Sequence, residues 1–367
     1  MKLQLERNTL LPLLQQLVSI VERKQTDALL ANIRLEATAE QAVYLTSSDM
    51  EVELVAKLNG VVEKPGITTL PARKWLDICR NLPDQSTLEI FLEGNRAQLR
   101  CGRGRFALAT LEADEFPEVE LSSEVETVVL PQDELRGVIE RSHFSMASQD
   151  VRYALNGLLI ELTGRGIRAV ATDGHRLALA EGVGEIEVTQ PRQVIVPRKG
   201  VHELLRILGT DSTPLQLQLD SNHIRVEVGD VRITSKLIDG LYPDYYHVLP
   251  EKNEKHLTLA REALRQAVSR VAILSNEKSR GVRFQLRPHL LSIGSHNYEQ
   301  EEAEEELEVD YSGEEVEIGF NANYLLDALG AMETEHVVIS LNDSKSSGLF
   351  RPEGDERTRY VIMPMQI

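Results

Sequence analysis

Ala169-Val170-Ala171-Thr172-Asp173 is a short apolar run ending in a turn residue, and the chain carries it in three versions. Val43-Tyr44-Leu45-Thr46-Ser47-Ser48-Asp49 lies upstream, and Leu291-Ser292-Ile293-Gly294-Ser295-His296-Asn297 lies downstream. The turn residues 49, 173 and 297 therefore recur every 124 positions. Asp and Asn suit such a place because their side chains bond the local backbone and tolerate left-handed geometry. A period this long is that of a whole domain, not of a short solenoid repeat.

Other landmarks keep the same period. An amphipathic helix opens each unit: Leu10-Leu11-Pro12-Leu13-Leu14-Gln15-Gln16-Leu17, then Leu135-Arg136-Gly137-Val138-Ile139-Glu140, then Leu264-Arg265-Gln266-Ala267-Val268. Their apolar residues fall at helical spacing, and Pro12 is tolerable if it stands near a first turn. A second helix follows Leu70-Pro71-Ala72-Arg73, Val196-Pro197-Arg198-Lys199 and Phe320-Asn321-Ala322-Asn323. Proline at a helix entrance is expected, since its missing N–H would be unpaired there. Alternation as in Leu215-Gln216-Leu217-Gln218-Leu219 predicts strands between the helices. The fold class is α+β: three tandem copies of a two-helix plus antiparallel-sheet domain, divided as 1–125, 126–250 and 251–367.

Composition narrows the function. The 367 residues are 42% hydrophobic and 27% charged, those of an ordinary soluble globular chain. No run of 18 apolar residues exists, and charges break the first residues, so neither a membrane span nor a signal core is expected. Two cysteines, Cys79 and Cys101, make no disulfide framework and no zinc pair; a reducing cytoplasm is the expected setting. Phosphate loops, GxGxxG, HExxH and GxSxG motifs are missing, and neither a catalytic constellation nor a cofactor or metal site is expected.

The net charge of −18 argues against adhesive DNA binding, which counterion release from a basic surface drives. Basic residues nonetheless gather on the predicted helices and their entrances, among them Arg23, Lys24, Arg73, Lys74, Arg198, Lys199, Arg265 and Arg270. Helices sharing one side would make that side basic, able to meet phosphates without reading bases. Glu299, Glu301, Glu302, Glu304, Glu305 and Glu306 crowd the third unit, while Arg96, Arg100, Arg103 and Arg105 stand in the first. An acidic edge at one end and a basic edge at the other suit head-to-tail pairing, which makes rings when the rotation closes. The apolar ending Tyr360-Val361-Ile362-Met363-Pro364-Met365-Gln366-Ile367 suits an adaptable peptide groove or a last strand.

Several stretches together resemble the bacterial DNA sliding clamp family, the beta subunits of DNA polymerase III. They are Gln149-Asp150-Val151-Arg152-Tyr153, Ala171-Thr172-Asp173-Gly174-His175-Arg176-Leu177-Ala178, Val196-Pro197-Arg198-Lys199-Gly200, Ile273-Leu274-Ser275-Asn276-Glu277-Lys278, Tyr311-Ser312-Gly313 and Met363-Pro364-Met365. The resemblance implies a head-to-tail homodimer, six domains around duplex DNA, opened by an ATP-driven clamp loader. It implies a processivity factor with no catalytic site. Polymerases and repair proteins would dock through a glutamine-hydrophobic motif in a pocket between the second and third domains. The pocket positions are Leu155, Thr172, Gly174, His175, Arg176, Leu177, Pro243, Val248, Asn321, Tyr324, Ser347, Val361, Met363, Pro364 and Met365. The rim departs from the familiar pattern at His247, Ser279, Lys345 and Gln366. For DNA the resemblance implies Lys24, Arg73, Gln149, Tyr153 and Lys199, with Ala154 in place of a frequent aromatic. For the dimer seam it implies Phe106, Leu108, Ile273 and Leu274. Two other readings compete: an enzyme of nucleotide metabolism, and a monomeric peptide-binding scaffold that never touches DNA.

Overall fold

The computed structural model describes residues 1–22, 27–250 and 253–366. Among these are six α-helices: α1 (Arg7–Ile20), α2 (Ala72–Arg80), α3 (Gln132–Glu140), α4 (Arg198–Ile207), α5 (Arg261–Val271) and α6 (Ala322–Gly330). The strands form four sheets, and the paired strands run antiparallel. The chain divides into two compact units.

Unit 1 comprises Met1–Arg136, Glu187–Thr189 and Lys199–Leu237. Its eight-stranded sheet runs in the order Glu126–Pro131, Pro214–Leu219, His223–Val228, Val231–Lys236, Val52–Asn59, Ala42–Ser48, Asn32–Ala37, Gly66–Pro71. Its five-stranded sheet runs Val61–Lys64, Lys2–Glu6, Thr87–Glu93, Arg96–Cys101, Gly104–Ala109. Helix α1 packs on α2 and buries Leu10, Leu14, Leu17 and Val18, the stripe its sequence spacing predicts. Pro12 is a correction: the helix starts at Arg7, so the proline lies inside it rather than in its first turn. Pro12 and Asn8 are both exposed, so the Asn8 carbonyl that loses its partner can be met by water.

Unit 2 comprises Gly137–Ile186, Gln190–Arg198 and the chain from Ile238 onward. Its eight-stranded sheet runs Arg192–Pro197, Gly157–Thr163, Gly166–Thr172, Arg176–Glu181, Thr358–Ile362, Gly348–Pro352, His336–Leu341, Lys255–Ala260. Its four-stranded sheet runs Glu302–Glu308, Leu290–His296, Gly281–Arg287, Val316–Asn321. Helices α5 and α6 pack together over a core in which Phe284, Phe320 and Phe350 meet edge to face at 5.6 Å.

The three repeated turns share one device. Asp49 Oδ1 accepts from the Glu51 and Val52 amides at 2.9 and 2.7 Å, and Asp173 Oδ1 accepts from His175 and Arg176 at 2.9 and 3.0 Å. Asn297 Oδ1 accepts from Glu299 and Glu301 at 3.1 and 3.0 Å. The residue after each Asp takes positive φ, 75° at Met50 and 89° at Gly174. Pro71 and Pro197 end strands one place before α2 and α4, so each stands just outside its helix.

Candidate functional site

The residues expected to form the peptide pocket all lie in unit 2, on both sides of the Asp173–His175 turn in sequence. Thr172 Oγ1 donates to the Arg176 carbonyl at 2.6 Å and accepts from the Gly174 amide at 3.1 Å. Gly174 has a left-handed φ of 89°, which favours glycine, and an added Cβ would also push aside the Arg152 guanidinium, whose Nη2 would lie 2.8 Å away. Arg176 is fixed from four sides. It donates to Asp173 at 3.1 Å, Asp327 at 2.5 Å and the Phe144 carbonyl at 3.0 Å, and its guanidinium stands 4.4 Å from the Tyr324 ring centre. Burial, and then the Asp173 charge, push the Tyr324 phenol up.

An apolar cluster adjoins the turn. Leu177 and Val361 are buried in one cluster with Leu159, Leu179 and Tyr245, and Val248, Tyr242 and Leu349 pack on it half-buried. Leu155 is buried as well. The Met363 amide donates to the His175 carbonyl at 3.0 Å, and the Met365 amide to the Gly319 carbonyl at 2.9 Å. Met363 keeps 39% of its surface exposed. Pro364 is half-buried, while Pro243 and His175 are exposed. The Asn321 side chain caps α6, accepting from the Asn323 and Tyr324 amides at 2.9 and 3.4 Å, so its oxygen is engaged. Ser347 lines an adjoining hollow of about 650 Å³ with Tyr246, His247, Val248 and Asn253. His247 pairs with Asp244 at 3.2 Å, the Ser279 carbonyl accepts from Asn321 at 3.2 Å, and Lys345 and Gln366 are exposed. Sequence reasoning did not find Tyr242, Tyr245 or Leu349. The available signal was an aromatic pair, Tyr245-Tyr246, between the expected pocket positions Pro243 and Val248.

The residues expected at DNA divide between the units. Lys24 lies outside the described residues. In unit 1, Arg73 donates to the Val21 carbonyl at 3.0 Å and Lys199 to the Ile20 carbonyl at 3.2 Å. Both cations thus sit on the C-terminal end of α1, where free carbonyls and the helix dipole favour positive charge. Lys199 also pairs with buried Asp49 and, at 3.5 Å, with Glu22. In unit 2, Gln149 is exposed on a loop and Tyr153 opens the short 3-10 helix Tyr153–Asn156 that follows, with 76% of its surface in solvent. Asp150 and Arg152 brace that loop with two bonds of 3.0 and 2.8 Å, and the Arg152 bonds draw the Asp150 carboxyl down to about 2.

The seam residues lie at sheet edges. Strand Gly104–Ala109, carrying Phe106 and Leu108, ends the five-stranded sheet with its outer side unpaired. Strand Glu302–Glu308 likewise ends the four-stranded sheet. Glu305 bonds Arg270 there at 2.5 and 2.7 Å, while Glu302, Glu304, Glu306 and Glu308 are exposed. After α5, Ile273 exposes 73% of its surface and Leu274 is half-buried. Among the described residues, no His, Cys, Asp and Glu group is arranged to hold a metal, and no helix is long and apolar enough to cross a membrane. Burial pushes the Cys79 thiol up to about 12.

Three family models match in succession, those of the DNA polymerase III beta subunit: its N-terminal domain over residues 1–120, its central domain over 129–244 and its C-terminal domain over 246–366. The chain is 47% identical over 364 residues to the beta sliding clamp of Pseudomonas putida, covering 99% of each. It is 48% identical over 370 residues to that of Escherichia coli K12, covering both fully. Crystal structures of the DNA polymerase sliding clamp from Pseudomonas aeruginosa, one of them with griselimycin bound, match it end to end with a TM-score of 0.96 at 45% identity.

Proposed function

The chain belongs to the DNA polymerase III beta subunit family, and from that premise we propose that it is a sliding clamp. It is the processivity factor of DNA replication: a head-to-tail homodimer that encircles duplex DNA and tethers the replicative polymerase. It takes no cofactor, catalyses no reaction and works in the cytoplasm. Each subunit has three domains, divided near residues 125 and 250.

One observation carries this reading. In unit 1, Val231–Lys236, from the segment matched by the central model, pairs with Val52–Asn59 from the N-terminal one. In unit 2, Thr358–Ile362 of the C-terminal segment pairs in the same way with Arg176–Glu181 of the central one. By position in the repeat, one such strand of each kind is left over. They are Gly104–Ala109, corresponding to 231–236 and 358–362, and Glu302–Glu308, corresponding to 52–59 and 176–181. A second copy supplies the missing partner to both, and a C2 pair uses every edge of this kind. Arginines 96, 103 and 105 beside one edge and the exposed glutamates on the other fit that pairing. Phe106, Leu108, Ile273 and Leu274 supply its apolar seam.

Inside the ring, Lys24, Arg73, Gln149, Tyr153 and Lys199 meet DNA. Arg73 and Lys199 already satisfy the end of α1, so their hold on phosphate is shared and weak, as sliding requires. The groove of unit 2 takes the glutamine-hydrophobic motif of polymerases and repair proteins, and a clamp loader opens the ring. The test is topological. Protein loaded by a clamp loader and ATP onto nicked circular plasmid stays bound through gel filtration at moderate salt and is lost once the plasmid is linearised. Equal retention on both forms overturns encirclement. Retention on neither, with a loader proven on a known clamp, leaves the monomeric scaffold.

A further inference from the structure

The connector Tyr242–Leu249 walls the groove, yet its backbone does little to hold it there. Among the described residues its backbone–backbone bonds stay within the segment, from Val248 to Tyr245 at 3.0 Å and from Leu249 to Tyr246 at 3.2 Å. Three phenols do the holding instead. Tyr242 accepts from the Thr172 amide at 3.1 Å. The Tyr245 hydroxyl donates to Glu161 Oε2 at 2.6 Å and accepts from Arg168 Nη1 at 2.9 Å. The Tyr246 hydroxyl accepts from the same Nη1 at 2.5 Å, and its ring stacks on Tyr245 at 4.4 Å.

Arg168 and Glu161 lie on paired strands and are themselves pinned. Arg168 Nε donates to Glu181 at 2.8 Å and Nη1 to Glu161 at 3.1 Å, and Gln193 donates to Glu161 Oε1 at 2.5 Å. Glu161 is 5% exposed and Tyr245 4%. Low dielectric strengthens such a network when each member is satisfied. The Tyr245 ring also belongs to the cluster that contains the groove floor, Leu177 and Val361. The mooring, the wall and the floor are therefore one mechanical piece.

We propose that Glu161, Arg168 and Tyr245 are positioning residues for docking: they hold the connector so that Pro243 and Val248 face an incoming peptide. This rests on the docking role of the groove. It assigns to these residues no contact with the peptide.

The experiment uses the full-length protein and a labelled synthetic peptide that carries a glutamine followed by hydrophobic residues. Tyr245→Phe keeps the ring and removes one oxygen. It raises the peptide Kd about three- to tenfold, the range of one or two hydrogen bonds. Arg168→Met raises it similarly alone and adds less than that in the Tyr245→Phe background, where its bond to Tyr246 is what is left to lose, while Arg168→Lys recovers part of the loss. The circular dichroism spectrum stays at the wild-type level throughout, which general loss of structure would not allow. Should Arg168→Met not fold, Tyr245→Phe decides. Wild-type affinity in Tyr245→Phe, or additive losses in the double variant, overturns the proposal. A wild-type protein that fails to bind the peptide brings down the docking role itself, and the mooring with it.

Discussion

The segment around Val119 in unit 1 and the segment Tyr242–Leu249 in unit 2 both cross a sheet beside a buried glutamate and an arginine, and they are held by opposite means. At the first, the sheet reaches for the main chain. Glu53 accepts from the Val119 amide at 2.9 Å, Arg225 donates to the Val119 carbonyl at 2.6 Å, and Asp220 accepts from the Ser122 amide at 2.9 Å. At the second, the connector reaches for the sheet with its own tyrosines. Main-chain mooring is nearly blind to what residue 119 is. Side-chain mooring ties the path of Tyr242–Leu249 to the identity of residues 245 and 246.

The largest expected effect follows directly. Tyr245→Ala deletes a buried ring and its bonds and should cost about 3–5 kcal/mol in denaturant unfolding. Val119→Ala leaves the amide and carbonyl in place and should cost about 1 kcal/mol or less. Equal losses at the two positions would erase the distinction between the connectors. A middle-sized effect tests the sheet side of the first mooring. Arg225→Met strands the Val119 carbonyl and takes one cation from buried Glu53. It should cost about 1–3 kcal/mol in the same assay, more than any substitution of Val119 short of proline.

The comparison also explains what the sequence disclosed. The repeat was legible because its turns use Asp49, Asp173 and Asn297 for bonds that each side chain makes to its own neighbouring backbone. Helix stripes such as Leu10, Leu14 and Leu17 were legible because helical period and burial coincide. The pocket residues came through resemblance, since no local pattern joins Leu177 to Val361, 184 positions apart, whereas the two edges were legible in the arginines of the first unit and the glutamates of the third. The start of α1 was misplaced because Glu6 makes no side-chain cap and the helix opens without an acidic first turn. The moorings were invisible for a related reason. Glu53, Glu161, Arg168 and Arg225 look like ordinary charged residues of strands, and no local pattern shows that the two glutamates are buried or that all four bond a distant connector.

The smallest effect is a matter of pH. Burial pushes the Glu53 carboxyl above its usual range, and the Val119 amide and the charges of Arg232 and Arg225 offset this only in part. A carboxyl raised in the folded state is penalised when it ionises. Its contribution is fully present below the unfolded value, roughly 4–4.5, and is lost as pH rises through the folded one. Glu53→Gln keeps an acceptor for the Val119 amide and carries no charge. Thermal melts should therefore find Glu53→Gln equal to the wild type at about pH 4 and slightly more stable at pH 7. A variant less stable at pH 7 would mean that the Arg225 and Arg232 charges outweigh the cost of burying the carboxylate. The first mooring would then be an ion-pair clasp, and the contrast between the connectors would narrow to which partner brings the side chain.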